Sequence, residues 1–162
     1  MRTLRWQPVV TLLLSLFGLG VSIYLTITHF SPHALVCVSN GTFNCEKVTT
    51  SAQSEIFGVP VAMLGLFYFV PMIALCLPVA WRSTDRRVHL ARLILSIVGV
   101  GTILYLLIAE LFIIKAICLW CSSVHIVTFI LFVIIVTAVP IVLAPDYGLA
   151  PTDSGDQLDE GE

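Results

Sequence analysis

Charged residues are scarce in this chain. Asp, Glu, Lys and Arg make up 11% of its 162 residues, while hydrophobic residues make up 58%; the usual shares are about 25% and 45–50%. A soluble domain of this length still exposes about 30% of its unfolded surface, and so few charged side chains could not cover that surface. The composition excludes a disordered chain, a nucleic-acid-binding protein and a secreted disulfide-rich miniprotein, and it indicates a membrane protein.

Long stretches lack charge altogether. Crossing roughly 30 Å of hydrocarbon takes about 20 apolar residues in a helix. We therefore predict an all-α integral membrane protein with a bundle of four transmembrane helices, the third continuing to Ile114 and the fourth ending near Leu143. Glycines inside these helices are expected at close helix contacts. The uncharged stretches are residues 8–30, 57–81, 93–109 and 116–145, and the glycines are Gly18, Gly20, Gly99 and Gly101.

Basic residues are unevenly distributed over the segments that connect these stretches. Cytoplasmic loops of membrane proteins are enriched in Lys and Arg. We therefore predict that both termini and residues 81–92 are cytoplasmic, and that residues 31–56 and 115–118 face the exterior. The count is six against two: Arg2, Arg5, Arg82, Arg86, Arg87 and Arg92 on one side, Lys47 and Lys115 on the other.

The last 17 residues differ from the rest of the chain. Residues 146–162 hold six of the ten acidic residues and no basic one. A segment this polar and this strongly charged does not bury enough apolar surface to fold. We predict a membrane domain over residues 1–145 and a disordered acidic cytoplasmic tail over residues 146–162.

Four of the five cysteines fall on the predicted outer side, where thiols can be oxidised. Cys118 and Cys121 form a Cys-x-x-Cys motif where the fourth helix begins, a position that stabilises a thiolate. Cys37 and Cys45 flank an Asn-Gly turn signal in the first outer loop. A structural zinc site and static disulfides are alternatives, but two dithiols in series favour an electron relay. The fifth, Cys76, is expected to be a small buried hydrophobic residue.

A relay needs a terminal electron acceptor, and several acceptors have no motif here. The chain contains no Gly-x-Gly-x-x-Gly for a flavin or dinucleotide. Ser122 follows Cys121, whereas haem attachment would need histidine there. A quinone, a two-electron carrier soluble in the bilayer, is therefore the expected cofactor, of menaquinone, ubiquinone or vitamin K type. No metal site is predicted.

These features together resemble the vitamin K epoxide reductase family, particularly its bacterial members. The resemblance rests on Cys37 and Cys45 followed by Glu-Lys-Val-Thr-Thr-Ser, on Phe-Gly-Val-Pro before the second helix, and on Cys118-x-x-Cys121 at the fourth. It covers most of residues 8–143. The bacterial disulfide-bond protein B family also has four helices, two cysteine pairs and a quinone, but its Cys-x-x-Cys lies in the first outer loop, so the order is reversed.

The resemblance implies a role for each of these residues. Cys121 would reduce the quinone, and Cys118 would pair with Cys121 and exchange with Cys45. Cys37 would resolve Cys45 and face an external partner. Ser51 matches a family serine on a short outer half-helix and would help to cap the quinone pocket. The bundle would surround the quinone, with the loop and half-helix between the first two helices as a lid.

Further expectations concern partner, substrate and location. No thioredoxin-like domain follows the fourth helix, so the partner is expected to be a separate thioredoxin-fold protein on the outer side of the membrane. His125 stands where vertebrate members carry tyrosine, so epoxide reduction is not supported. An Asn-Gly-Thr glycosylation sequon lies between Cys37 and Cys45. Because a glycan there would obstruct exchange, we expect a bacterial plasma membrane.

We therefore predict a membrane thiol:quinone oxidoreductase that reoxidises its partner and supports disulfide formation. Two alternatives stay open: a vitamin K reductase proper, and a tetraspan structural protein with static disulfides. His125, one turn after Cys121, could bind or protonate a quinone carbonyl, or could be a packing residue. Glu110 could relay protons or pair with Lys115, and the ion pair is the expectation here.

Overall fold

The computed structural model describes residues 6–31, 36, 44–56, 58–83 and 85–143. Cys37 and the predicted tail, residues 146–162, lie outside these ranges. The described chain is almost entirely helical. Its elements are α1 (Gln7–Phe30), α2 (Cys45–Thr49), a 3-10 turn (Ala52–Ser54), β1 (Glu55–Ile56), β2 (Val59–Pro60), α3 (Val61–Cys76), α4 (Pro78–Trp81), α5 (Arg86–Ile108), a π-helical turn continuing it (Ala109–Ile114) and α6 (Leu119–Leu143).

Three of the helices in the described part of the chain are long and apolar enough to cross a membrane. They are α1, α5 with its π-helical continuation, and α6, and they correspond to the first, third and fourth predicted spans. The apolar helix at the second position, α3, is shorter, with 16 residues. The protein is therefore an integral membrane protein, and a fourth crossing stays a prediction.

The second predicted span differs from the structure at both ends. At its start, β1 and β2, of two residues each, form an antiparallel hairpin with Ile56 opposite Val59. Gly58 has a φ of +77°, a left-handed conformation that glycine adopts without steric cost. At its end, Pro78 holds Leu77 in extended geometry and breaks the helix. Proline and glycine thus shorten a stretch that is uniformly apolar in sequence, and the fold is not purely helical.

Small residues allow α3 to approach its neighbours closely. A Cβ atom on Gly18 of α1 would overlap the ring of Phe69, and one on Gly99 of α5 would lie 2.7 Å from the ring of Tyr68. These two glycines are close-contact points, as predicted. Gly20 and Gly101 are not, since nothing lies within 4 Å of a Cβ placed there.

The core of the bundle lies between α3 and α6. Its fully enclosed members include Phe69, Met72 and Leu131. Cys76 belongs to the same cluster and has no exposed surface, which confirms the prediction that it is buried. Nearby hydroxyls bond within their own helix: Thr11 donates to the carbonyl of Gln7 and Ser15 to that of Thr11, at 2.8 and 2.7 Å.

A buried arginine closes the end of α3. Arg92 on α5 is 2% exposed, and its guanidinium donates to the carbonyl of Leu75, with an Nε–O distance of 3.0 Å. It also lies 4.0 Å from the centre of the Trp81 ring. Because the helix breaks at Leu77, the carbonyl of Leu75 lacks its hydrogen-bond partner within α3. A carbonyl without a hydrogen-bond partner inside a membrane costs several kcal/mol. Arg92 supplies the missing donor.

Candidate functional site

A cavity of about 510 Å³ lies at the end of the bundle near α2, within the range of small-molecule sites. Most of its wall is aliphatic or aromatic, from α1, α3, α5 and α6, with the α2 segment at its edge. A pocket whose wall is mostly apolar suits a mostly apolar ligand. The polar lining residues are Ser22, His29, Thr49, Ser51, Ser54, Tyr68, Thr102, Glu110, Cys121, His125 and Thr128.

Cys121 is the cysteine that lines this cavity. It lies in the first turn of α6, and Cys118 immediately precedes that helix. Both are free thiols; Cys118 is fully buried and Cys121 is half-buried. The backbone N–H of Cys121 donates to Sγ of Cys118 at 3.4 Å. The sequence spacing therefore brings the two sulfurs together, with one of them at the cavity wall.

The surroundings of Cys118 favour its thiolate. A hydrogen bond from the Cys121 thiol lowers the pKa of Cys118, and backbone N–H groups of Cys121 and Trp120 add to this effect, while burial opposes it. These N–H groups belong to the start of α6 and have no partner within the helix. A thiol with a lowered pKa is the better nucleophile in disulfide exchange. Cys118 is therefore suited to exchange with a neighbouring cysteine, because a thiol with a lowered pKa also leaves a mixed disulfide more readily.

Cys45 supplies a disulfide beside Cys118. It begins α2, is 1% exposed and is disulfide-bonded. Cys45 and Cys118 belong to one buried cluster with Val48, Ile114 and Ala116. Two contacts hold this segment: the Asn44 side chain caps α2 by accepting from Lys47 N–H at 3.0 Å, and Asn44 N–H donates to the carbonyl of Ile117 at 3.2 Å. The pairing of Cys45 with Cys37 stays a prediction.

A second attachment of the first loop was not predicted from the sequence. Val36, the residue before Cys37, donates its N–H to the Tyr24 hydroxyl at 2.9 Å. The indole N–H of Trp120 donates to the carbonyl of Val36 at 3.0 Å. The two rings lie 4.9 Å apart. Trp120 lies inside the Cys-x-x-Cys motif, so this aromatic clamp of Tyr24 and Trp120 ties the loop to the inner cysteines.

His125 and Ser51 both line the cavity. His125 lies one turn beyond Cys121, is 6% exposed, and its Nδ1 is buried without a hydrogen-bond partner among the described residues. Ser51 follows α2, and its hydroxyl donates to the carbonyl of Val48 at 2.8 Å. The Ser51 hydroxyl is thus already used as a donor within the wall, whereas the His125 ring retains an unused polar atom.

The surroundings of Glu110 differ from the predicted ion pair with Lys115. It lies in the π-helical turn, is 4% exposed and lines the cavity. Lys115 is exposed and ends that turn in a left-handed conformation, with φ of 54°. The ion pair expected between Glu110 and Lys115 is not formed. Among the described residues the one close acidic–basic pair is His29 with Glu55, at 3.8 Å.

Comparison with models of known protein families identifies a match. The sequence model of a protein family described as the Vitamin K epoxide reductase family matches residues 9–136, which is well over half of the chain. The matched range contains every described residue of the cavity wall and both sulfurs of the Cys-x-x-Cys motif. No curated protein matches the chain.

Proposed function

The chain belongs to the vitamin K epoxide reductase family, whose members are membrane oxidoreductases associated with quinones, and we propose that it oxidises the thiols of a partner protein and delivers the electrons to a quinone. The observation that carries this proposal is the arrangement of three sulfurs. Cys121 faces an apolar cavity of suitable size, Cys118 lies beside it, and Cys45 is packed with Cys118 in one buried cluster.

The electrons pass in two exchanges. A partner dithiol is oxidised as it reduces the disulfide between Cys37 and Cys45. Cys45 and Cys37 then give two electrons to the disulfide of Cys118 and Cys121, which becomes two thiols. Free thiols at Cys118 and Cys121 beside an oxidised Cys45 are the state in which the inner pair is ready to be reoxidised. A bound quinone supplies a sink for two electrons and two protons.

We place the cysteines at the outer surface of a bacterial plasma membrane, with both termini in the cytoplasm. The partner is then a thioredoxin-fold protein of that compartment, whose exposed dithiol can reach the loop. The burial of two cysteines supports this direction of electron flow: Cys45 and Cys118 are both almost fully buried, so neither sulfur is open to direct attack by a partner protein.

The test is quinone reduction by purified protein in lipid nanodiscs with a dithiol-reduced thioredoxin-fold protein as donor. A short-tailed ubiquinone and menadione serve as acceptors, followed by their ultraviolet absorbance. One quinone should disappear for every two donor thiols oxidised. A tetraspan protein with static disulfides would instead show no quinone consumption, no mixed disulfide with the donor, and bonds that resist mild reductant.

His125 is the residue we assign to the quinone, through a hydrogen bond to a carbonyl oxygen. His125→Phe keeps an aromatic ring of similar size and removes both ring nitrogens. We expect quinone turnover to fall about 5- to 150-fold, since leaving a buried polar partner unsatisfied costs about 1–3 kcal/mol. The measurement is kcat and KM for the quinone at matched membrane abundance. Unchanged kinetics would show that His125 only packs against its neighbours.

The aromatic clamp should control the rate of disulfide exchange between the loop cysteines and the pair of Cys118 and Cys121. Trp120→Phe removes the N–H that holds the carbonyl of Val36, a bond worth about 0.5–1.5 kcal/mol. We expect loop-to-inner electron transfer to slow roughly 2- to 10-fold, measured by rapid acid quench and alkylation of the thiols. Trp6→Phe, an exposed position at the start of α1, is the matched control. Equal rates in the two variants would contradict a role for the clamp.

A further inference from the structure

Glu110 is a buried carboxyl group at the reaction site with no structural partner. Its side chain is 4% exposed and lines the same cavity as Cys121 and His125. Within the described residues its carboxyl oxygens have neither an ion pair nor a hydrogen bond to another side chain or to the backbone. Its backbone carbonyl, in contrast, accepts from the N–H groups of Lys115 and Ala116 to end the helix.

The titratable groups around the carboxyl leave it uncompensated. His125 lies on α6 and His29 on α1, both in the cavity wall, and neither forms an ion pair with Glu110. Lys115 is exposed. A carboxylate in a low-dielectric bundle without a nearby cation costs several kcal/mol. Such a group is not explained by stability, and ionisable residues inside a membrane bundle usually serve transport of protons, ions or substrate.

The local backbone directs this side chain inward. A π-helical turn has one residue more than an α-helical turn, and such turns are frequent at functional sites. In Ala109–Ile114 the neighbours Ala109 and Glu110 are both buried, at 1% and 4% exposure, while Leu111, Phe112 and Ile113 are exposed. The irregular turn thus adds a buried position at the cavity, and a glutamate occupies it.

We propose that Glu110 is the proton carrier between the inner cysteine pair and the quinone. It takes a proton that leaves a thiol of Cys118 or Cys121 as their disulfide forms, and it gives a proton to a quinone oxygen. Oxidation of the two thiols releases two electrons and two protons, all of which end on the hydroquinone product. Glu110 finishes each cycle in its starting protonation state. This inference rests on the proposed function of the same site.

The kinetic test compares Glu110→Gln with Glu46→Gln, which makes the same change at an exposed position of α2. Proton transfer by a positioned side chain contributes about 100-fold or more to rate. We expect Glu110→Gln to lower kcat for quinone reduction about 100-fold with little change in KM, and Glu110→Asp to recover part of the loss. The Glu46→Gln variant should match the wild type.

A second readout needs no quinone. In quinone-free protein, the reduced-minus-oxidised infrared difference spectrum of the inner cysteine pair should contain a carboxylic acid C=O band. This band should vanish in Glu110→Gln, move in Glu110→Asp and persist in Glu46→Gln. Identical spectra in wild type and Glu110→Gln overturn the proposal. A fall in kcat without the infrared change also overturns it, because Glu110 would then act through packing.

The two hypotheses fail in different ways. If wild-type protein consumes no quinone at all, the proposed function is wrong, whatever the infrared spectrum shows. If wild-type turnover is normal and Glu110→Gln leaves both kcat and the spectrum unchanged, only the proton-carrier assignment is wrong.

Discussion

Cys121→Ala should reduce quinone turnover to the uncatalysed background. Cys121 is the one cysteine in the described cavity wall, so no other described thiol can reach a ligand bound there. The change removes a single sulfur from a half-buried site and leaves Cys118, the cavity and the loop in place. Stopped-flow absorbance of the quinone with a reduced thioredoxin-fold donor measures the loss. A turnover rate close to wild type would remove the cysteines from the mechanism and favour the structural alternative.

Two further cysteine variants calibrate this result. Cys76→Ala makes the same substitution in the core between α3 and α6, away from the cavity wall, and should leave turnover unchanged at equal abundance. Cys45→Ala should abolish steady turnover with the protein donor. When its inner pair is chemically reduced beforehand, however, it should still support a single round of quinone reduction. Loss of that single round would place the loop, not Cys121, next to the quinone.

Gly18→Ala should destabilise the bundle by about 1–3 kcal/mol, the usual cost of forcing an extra methyl group into a packed core. The Phe69 ring lies directly against the Gly18 backbone, and a Cβ atom there would overlap it. Phe69 has no exposed surface and contacts the core between α3 and α6, so it has little room to move. The free energy of unfolding can be measured by titration with SDS in mixed micelles.

Gly20→Ala is the matched control, two residues away on the same helix. Its new methyl group meets nothing within 4 Å. Alanine has a higher helix propensity than glycine by roughly 0.8–1 kcal/mol in water, so Gly20→Ala should be neutral or stabilising. A loss of stability of equal size in both variants would show that α1 and α3 are not in close contact at Gly18.

The sequence predicted a membrane protein and the positions of its long helices, because a stretch without charged residues can be recognised from the identity of each residue alone. The ends of the second helix were not predictable in the same way. No charged residue interrupts residues 57–81, yet α3 begins only after the turn at Gly58 and ends before Pro78. Two of the four predicted glycine contacts are formed. The sequence shows where each glycine lies, but which face of a helix meets a neighbouring helix depends on packing.

For the site, spacing carried most of the prediction. The proximity of Cys118 and Cys121 follows from three-residue spacing at a helix start. Cys45 and Cys118 belong to one buried cluster, and the electron relay between them stays a proposal. The clamp on Val36 could not be predicted, because Trp120 and Val36 are 84 positions apart. Glu110 was assigned to the wrong partner: the five-residue separation from Lys115 assumed a regular helix, and the π-helical turn removes that geometry.

The short α3 has a consequence for the surrounding lipid. Its 16 residues extend about 24 Å, whereas a bilayer core is roughly 30 Å thick. The predicted fourth crossing is therefore shorter than the bilayer core, and we expect the bilayer to thin beside α3. Acyl chain length is therefore expected to set the depth at which a molecule dissolved among the lipid tails meets the bundle.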